Sequence, residues 1–130
     1  MTTTSPLKSI GQILVPVGDV DRAADFYEEV LGLPLSMRFP GIAFFDAAGI
    51  RLYLAKVPQA DFQGRATIYF WVDDVSASLE LLEARGAVVR ERPNIVHRDD
   101  AYDLWMAFVT DLDGNNIGMM REAPKGLERG

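Results

Sequence analysis

The second half of this chain repeats the first. Ile13–Gly32 reads ILVPVGDVDRAADFYEEVLG, and Ile68–Gly86 reads IYFWVDDVSASLELLEARG. In both, an apolar run ends in an Asp, a helical pattern follows, and a Gly closes it. A later echo pairs DAAGIRLYL (Asp46–Leu54) with DLDGNNIGM (Asp111–Met119). A duplicated supersecondary unit confines the fold sharply. Neither copy can bury its apolar face alone, and equivalent positions face one another around a shared centre.

Each copy reads as one strand, one helix and three strands. The first strand is expected over Ser9–Val17, where consecutive Ile13, Leu14 and Val15 suit a strand covered on both faces. Asp19 is a candidate N-cap. Val20, Ala23, Ala24, Tyr27, Val30 and Leu31 then share one helical face, and Gly32 suits a left-handed C-cap. Short strands follow at Leu35–Phe39, Ile42–Asp46 and Ile50–Lys56, split by Pro40-Gly41 and Ala47–Gly49. After a polar, turn-rich link at Pro58–Gly64 the pattern restarts. Ala66–Val72 is a strand, Asp74 the cap, Val75, Leu79 and Leu82 the helix stripe, and Gly86 the stop. Val88–Glu91, Leu104–Thr110 and Asn116–Arg121 complete the copy, with Asp113-Gly114 as a hairpin turn. The fold class is therefore α+β: two βαβββ modules in a single domain spanning 1–130, module one over about 9–57 and module two over about 66–121. Residues 1–7 and 123–130 read as tails. The polar stretch Pro93–Asp103 reads as a long loop, a common seat of function.

Composition removes several function classes. The chain has 130 residues, 48% hydrophobic and 25% charged, which suits one globular domain with a sizeable core. It has no cysteine, hence no disulfide and no thiolate metal site, in keeping with a cytoplasmic protein. No apolar run approaches the roughly 18 residues of a membrane span, and MTTTSPLKS lacks signal-peptide order. A net charge of −6 disfavours nucleic acid. It permits a cationic ligand, although Asp21, Asp25, Glu28, Glu29, Glu80 and Glu83 sit on the expected helices as solvated faces.

The pattern "VxDVxxAxxFYxxVLG" of the first copy, "VDDVxxxxxxLxxxG" of the second and the ending FVTDLDGNNIGM resemble the vicinal oxygen chelate superfamily. That group holds glyoxalases, bleomycin-resistance proteins, extradiol dioxygenases and fosfomycin-resistance enzymes. The resemblance covers about residues 9–121, with Leu112 standing where the closing signature usually has Pro. It implies modules whose strands curl into an open, cup-shaped sheet with helices outside. It also implies a divalent metal held by one ligand from the first and one from the last strand of each module. By the pairing of Asp19 with Asp74 and Gly49 with Gly114, those positions are Gln12, Tyr53, Thr67 and Gly118. An amide, a phenol, a hydroxyl and no side chain are poor ligands for such a metal. The resemblance therefore implies no metal and no cofactor in this member. The lone His97, with Asp99, Asp100 and Asp103, could at most form an unrelated cation site.

Strand alternation assigns the faces. Gln12, Leu14, Thr67, Tyr69 and Trp71 are expected to face the cup, as are Arg51, Tyr53 and Ala55. Phe45, Met106, Phe108, Asn116 and Met120 are placed there too. Ile13, Val15, Leu52, Leu54, Ile68, Phe70 and Val72 face the core, and Trp105 the helix side or a subunit contact. Apolar walls with a few polar points, Gln12, Thr67, Asn116 and Arg51, suit an organic ligand. No catalytic constellation stands out. The function expected is metal-independent binding of an aromatic or cationic small organic molecule, as in the bleomycin-resistance branch. The resemblance implies a homodimer, with neither nucleic acid nor membrane as partner. The alternatives are a glyoxalase- or dioxygenase-type enzyme with displaced ligands, and a ligand-free interaction module whose cup is filled by its own side chains.

Overall fold

A computed structural model describes residue 6, residues 9–56 and residues 65–126. The link expected over 58–64, most of the N-terminal tail and the last four residues lie outside them. The first module runs β1 (Gln12–Pro16), α1 (Val20–Asp25), a π-helical turn (Phe26–Val30), β2 (Leu35–Phe39), β3 (Ile42–Ala47) and β4 (Ile50–Ala55). The second runs β5 (Thr67–Trp71), α2 (Val75–Ala84), β6 (Val88–Arg98), β7 (Asp103–Thr110) and β8 (Asn116–Ala123). Each forms an open four-stranded sheet, in the orders β1-β4-β3-β2 and β5-β8-β7-β6. β1 pairs parallel with β4 and β5 parallel with β8, while the remaining pairs are antiparallel. The two sheets are thus the same βαβββ unit built twice.

The helices start where the Asp residues dictate. Asp19 is extended, and its Oδ1 accepts from the Arg22 amide at 3.1 Å; Asp74 does the same for Ala77 at 2.8 Å. Each satisfies one of the amides that a helix start leaves without a partner. Gly32 and Gly86 then take the positive φ that ends each segment. One face of each sheet packs on this helical layer. Val15, Leu52, Leu54 and Phe45 from the first sheet join Ala107, Val109 and Ile117 from the second, with Tyr27, Val75 and Leu79, in one buried cluster. Trp105 is also in it, on the helix side. Among the described residues no helix is long and apolar enough to cross a membrane.

Three expectations need correcting. The first helix does not stay α-helical: the Leu31 amide donates to the Phe26 carbonyl at 3.1 Å, five residues back. This wider turn brings both Phe26 and Tyr27 into the core, where a 3.6-residue stripe includes only Tyr27. The segment 93–103 is not a loop. β6 continues through Arg98 and pairs with β7 down to Arg98↔Asp103, with register shifts between Glu91 and Asn94 and between Ile95 and His97. β6 is an edge strand, so Pro93 breaks no ladder, and the shifts accommodate its polar residues. The turn that remains is closed by Asp99 Oδ1, which accepts from the Ala101 and Tyr102 amides at 2.7 and 3.0 Å. The C-terminal tail also begins later than expected. Ala123 is buried at the end of β8, and Lys125 Nζ sits 2.8 Å from the buried Asp103 carboxylate.

The modules are joined by a buried polar knot in the DLDGNN segment. Asp111 Oδ1 accepts from the amides of Asp113 and Asn115 at 2.9 and 2.8 Å. Its Oδ2 accepts from Asn115 Nδ2 at 2.8 Å and from the Tyr27 hydroxyl, in the other module, at 3.0 Å. Asn115 also donates to the Pro16 carbonyl at 2.9 Å and accepts from the Ala66 amide at 2.8 Å. Asp113 Oδ1 takes the Gly18 amide at 2.7 Å. Burial and the adjacent Asp111 push the Tyr27 hydroxyl far above its ordinary pKa, so it remains a donor at every working pH. The carboxylate of the equivalent Asp46 takes a local bond, from the Gly49 amide at 3.0 Å, and the residue is exposed. Truncating one member of a buried network leaves its partners unsatisfied, at about 1–3 kcal/mol each. Asn115→Ala is therefore expected to lower unfolding free energy by about 3 kcal/mol in urea, and Tyr27→Phe by about 1–2 kcal/mol. Asp46→Ala, on the exposed counterpart turn, is expected to cost less than about 1 kcal/mol.

Candidate functional site on the open sheet faces

Register fixes which side chains stand opposite the helical layer, because directly paired residues share a face. On the first sheet Gln12 pairs with Arg51 and Leu14 with Tyr53, and Tyr53 pairs with Phe44. The aromatic residue of β3 on this open face is thus Phe44, not Phe45. Phe45 pairs with Leu52, is fully buried and packs against the Tyr27 ring at 5.8 Å. Adjacent Phe residues hide strand parity, and a shift of one residue exchanges the faces. On the second sheet Thr67, Tyr69 and Trp71 pair with Asn116, Gly118 and Met120. Phe108 lies opposite Gly118 and Met106 opposite Met120. The residues expected to line the cup are divided between the two sheets, one patch on each. Gln12, Arg51 and Tyr53 belong to the first sheet. Thr67, Tyr69, Trp71, Met106, Phe108, Asn116 and Met120 belong to the second.

Both patches are aromatic and solvent-facing. In the first, the Phe44 and Tyr53 rings are 5.1 Å apart and the Arg51 guanidinium lies 5.2 Å from the Phe44 centroid, a cation–π contact. In the second, Tyr69 and Phe108 meet edge to face at 5.8 Å. They do so directly over Gly118, where an added Cβ would come within 2.9 Å of both rings. Glycine is what allows the two rings to close over the strand. Beside them Trp71 is 64% exposed, so a large apolar surface stands unburied at the end of this floor. A cavity of about 280 Å³ opens on the helix side, with Leu31, Leu33, Trp71, Leu82 and Arg85 among its walls.

The polar end of the second patch contains a residue that strand alternation did not single out. Arg90 Nη1 donates to Asn116 Oδ1 at 2.6 Å, and Asn116 Nδ2 donates to Thr67 Oγ1 at 3.1 Å. Arg90 precedes a register shift in β6, so simple alternation does not place it.

The residues at the four metal positions do not fit a divalent ion. Thr67 Oγ1 is already an acceptor for Asn116, Tyr53 is packed on Phe44, Gln12 offers only an amide, and the Gly118 position is roofed by two rings. No group of three His, Cys, Asp or Glu side chains able to hold a metal occurs among the described residues. The sequence-level cation site at His97 is divided by the hairpin. His97 pairs with Leu104 and Arg98 with Asp103, so His97 and Asp103 point to opposite faces. His97 Nε2 lies 3.8 Å from Asp99, whose carboxyl is held below its ordinary range by the Tyr102 and Ala101 amides and, less, by His97.

Comparison with known proteins follows the same lines. Residues 9–119 match the Glyoxalase/Bleomycin resistance protein/Dioxygenase superfamily. The chain belongs to that superfamily. It is 28% identical over 131 aligned positions to a probable lactoylglutathione lyase of Vibrio cholerae serotype O1, covering 88% of this chain and 93% of that protein. Among solved structures it resembles TnmS3, an antibiotic binding protein from Streptomyces sp. CB03234, with 26% identity, a TM-score of 0.73 and coverage of 94% and 100%. It also shares the fold of a lactoylglutathione lyase from Agrobacterium tumefaciens, at 24% identity, a TM-score of 0.72 and coverage of 89% and 95%.

Within this superfamily the roofed glycine has a direct consequence. Gly118→Glu restores a carboxylate to the sequence position but must displace Tyr69 and Phe108. It is expected to lower the melting temperature by several degrees and to bind no stoichiometric Ni, Zn or Mn by elemental analysis. Overpacking of this kind costs about 1–3 kcal/mol. Gly118→Ala is expected to destabilise in the same direction by less.

Proposed function

We propose that this protein binds an aromatic small organic molecule without a metal, holding it on the open sheet faces. The observation that carries this reading is the Tyr69–Phe108 pair laid over Gly118, with Trp71 exposed at its edge. An edge-to-face aromatic pair beside an unburied indole offers a planar ligand a ring to stack on and another to meet edge-on, and apolar walls with few polar points are the usual makeup of such sites. The antibiotic-binding protein among the structural relatives supports the same reading.

The proposal includes a homodimer. Leu14, Met37 and Phe39 on the first sheet and Tyr69 and Trp71 on the second are all more than a third exposed. A second copy would bury these patches and give a ligand its missing walls. The relative named a probable lactoylglutathione lyase favours a second reading, an enzyme with displaced ligands. The donor set at Gln12, Tyr53, Thr67 and Gly118 weighs against it.

Isothermal titration calorimetry on metal-stripped protein tests the first reading. An aromatic ligand is expected to bind with quenching of indole fluorescence that disappears in Trp71→Phe. Trp71→Ala is expected to weaken binding about tenfold, or about 1.4 kcal/mol. Binding or turnover that appears only after metal is returned, and is lost in Gln12→Ala, would instead establish the enzyme. Sedimentation is expected to give twice the monomer mass, and Phe39→Asp to shift it toward monomer.

A further inference from the structure

The three-residue chain Arg90–Asn116–Thr67 has a direction, and that direction selects the ligand. A guanidinium has no acceptor, so the Asn116 side chain must turn its oxygen toward Arg90. The bond of 2.6 Å between them fixes the amide in that orientation. Asn116 then has only its NH₂ to offer on the other side, and it donates to Thr67 Oγ1 at 3.1 Å. A hydroxyl that accepts from Asn116 keeps its own hydrogen to give. The end of the chain is therefore a donor, and the guanidinium at its start has further N–H groups. Thr67 stands two residues before Tyr69 and four before Trp71 on β5, so it shares their open face.

We propose that this end of the second sheet takes a hydrogen-bond acceptor, and that the ligand is an aromatic carboxylate or similar aromatic anion with its ring over Tyr69 and Phe108. The inference rests on the reading of this face as a ligand site and names its chemistry. It also reverses the cationic preference suggested by the net charge of −6. Net charge acts at long range and is screened beyond about 8–10 Å, whereas the donors are at contact. The carboxylate of the same face, Glu91, lies opposite Phe108 and accepts from Asn94 Nδ2 at 3.0 Å. Charge-assisted bonds are roughly twice as strong as neutral ones, so an anion gains most from such an end.

Calorimetry with the full chain and three matched probes tests it: 2-naphthoate, 2-methylnaphthalene and 2-naphthylmethylammonium. Naphthoate is expected to bind at least tenfold more tightly than either of the others. Thr67→Val removes the terminal donor at constant shape and is expected to weaken naphthoate about tenfold while leaving methylnaphthalene unchanged. Thr67→Ser is expected to retain wild-type affinity. Asn116→Asp supplies acceptors to both neighbours, turns the Thr67 hydrogen inward and is expected to abolish the preference for naphthoate. Circular dichroism and melting confirm that each variant folds. Equal affinity for all three probes, preference for the ammonium, or a Thr67→Val protein that binds naphthoate like wild type overturns this inference and leaves the binding function standing. Failure of all three probes to bind overturns both.

Discussion

The buried pairing of Asp111 with Asn115 is the constraint on which the molecule depends. Two small open sheets, each with one helix, bury too little surface to be indifferent to how they meet. Asp111 and Asn115 decide it, because their bonds are directional and those that join the two residues to each other and to Tyr27 Oη are buried from water. Asn115 reaches the end of β1 and the start of β5 at once, through the Pro16 carbonyl and the Ala66 amide. Tyr27 reaches back from the first module to the Asp111 carboxylate. The segment that most resembles a superfamily signature is thus, in this chain, a joint between modules rather than a part of the binding face.

The open faces follow from that joint. With the helical layer committed to the common core, the other side of each sheet carries side chains that nothing in the same chain covers. Sheet two has spent its metal position on packing: without a side chain at 118, two aromatic rings occupy the room a ligating carboxylate would need. What remains is a floor for stacking with a polar end made of donors, which is recognition chemistry of a different kind from coordination.

Much of this was legible in the residues. The repeat located both modules, the capping Asp residues and the glycine stops, because caps and turns are local chemistry that a sequence states directly. Alternation placed Tyr69, Trp71, Phe108 and Gln12 on the open face, because their strands are regular. It failed at Phe44-Phe45, where both residues are equally apolar and only the hairpin register decides. It fails again in β6, where polar residues beyond Pro93 on a bulged edge strand look like a loop, and where the register shift at Arg90 takes that residue out of simple alternation. The π-helical turn at Phe26 had no signal in a periodicity that assumes 3.6 residues throughout. The expectation of one cup came from the resemblance. Face assignment by itself says which side of a sheet a residue occupies and not what stands across from it.

The knot at Asp111 has a counterpart that does not tie. In its equivalent in the first module, the Asp46–Gly49 turn, the Asp46 carboxylate takes the Gly49 amide of the same turn. The duplication is therefore symmetric in outline and asymmetric in mechanics. One hairpin is a structural fastener whose residues are committed by several simultaneous partners. The other is a surface turn, with Ala48 in a left-handed backbone conformation and open space around Gly49. Variation in length or composition can accumulate at the second place without loosening the first. The chain thus holds two copies of one blueprint under different tolerances: a rigid hinge post at one end, and an adjustable rim at the other.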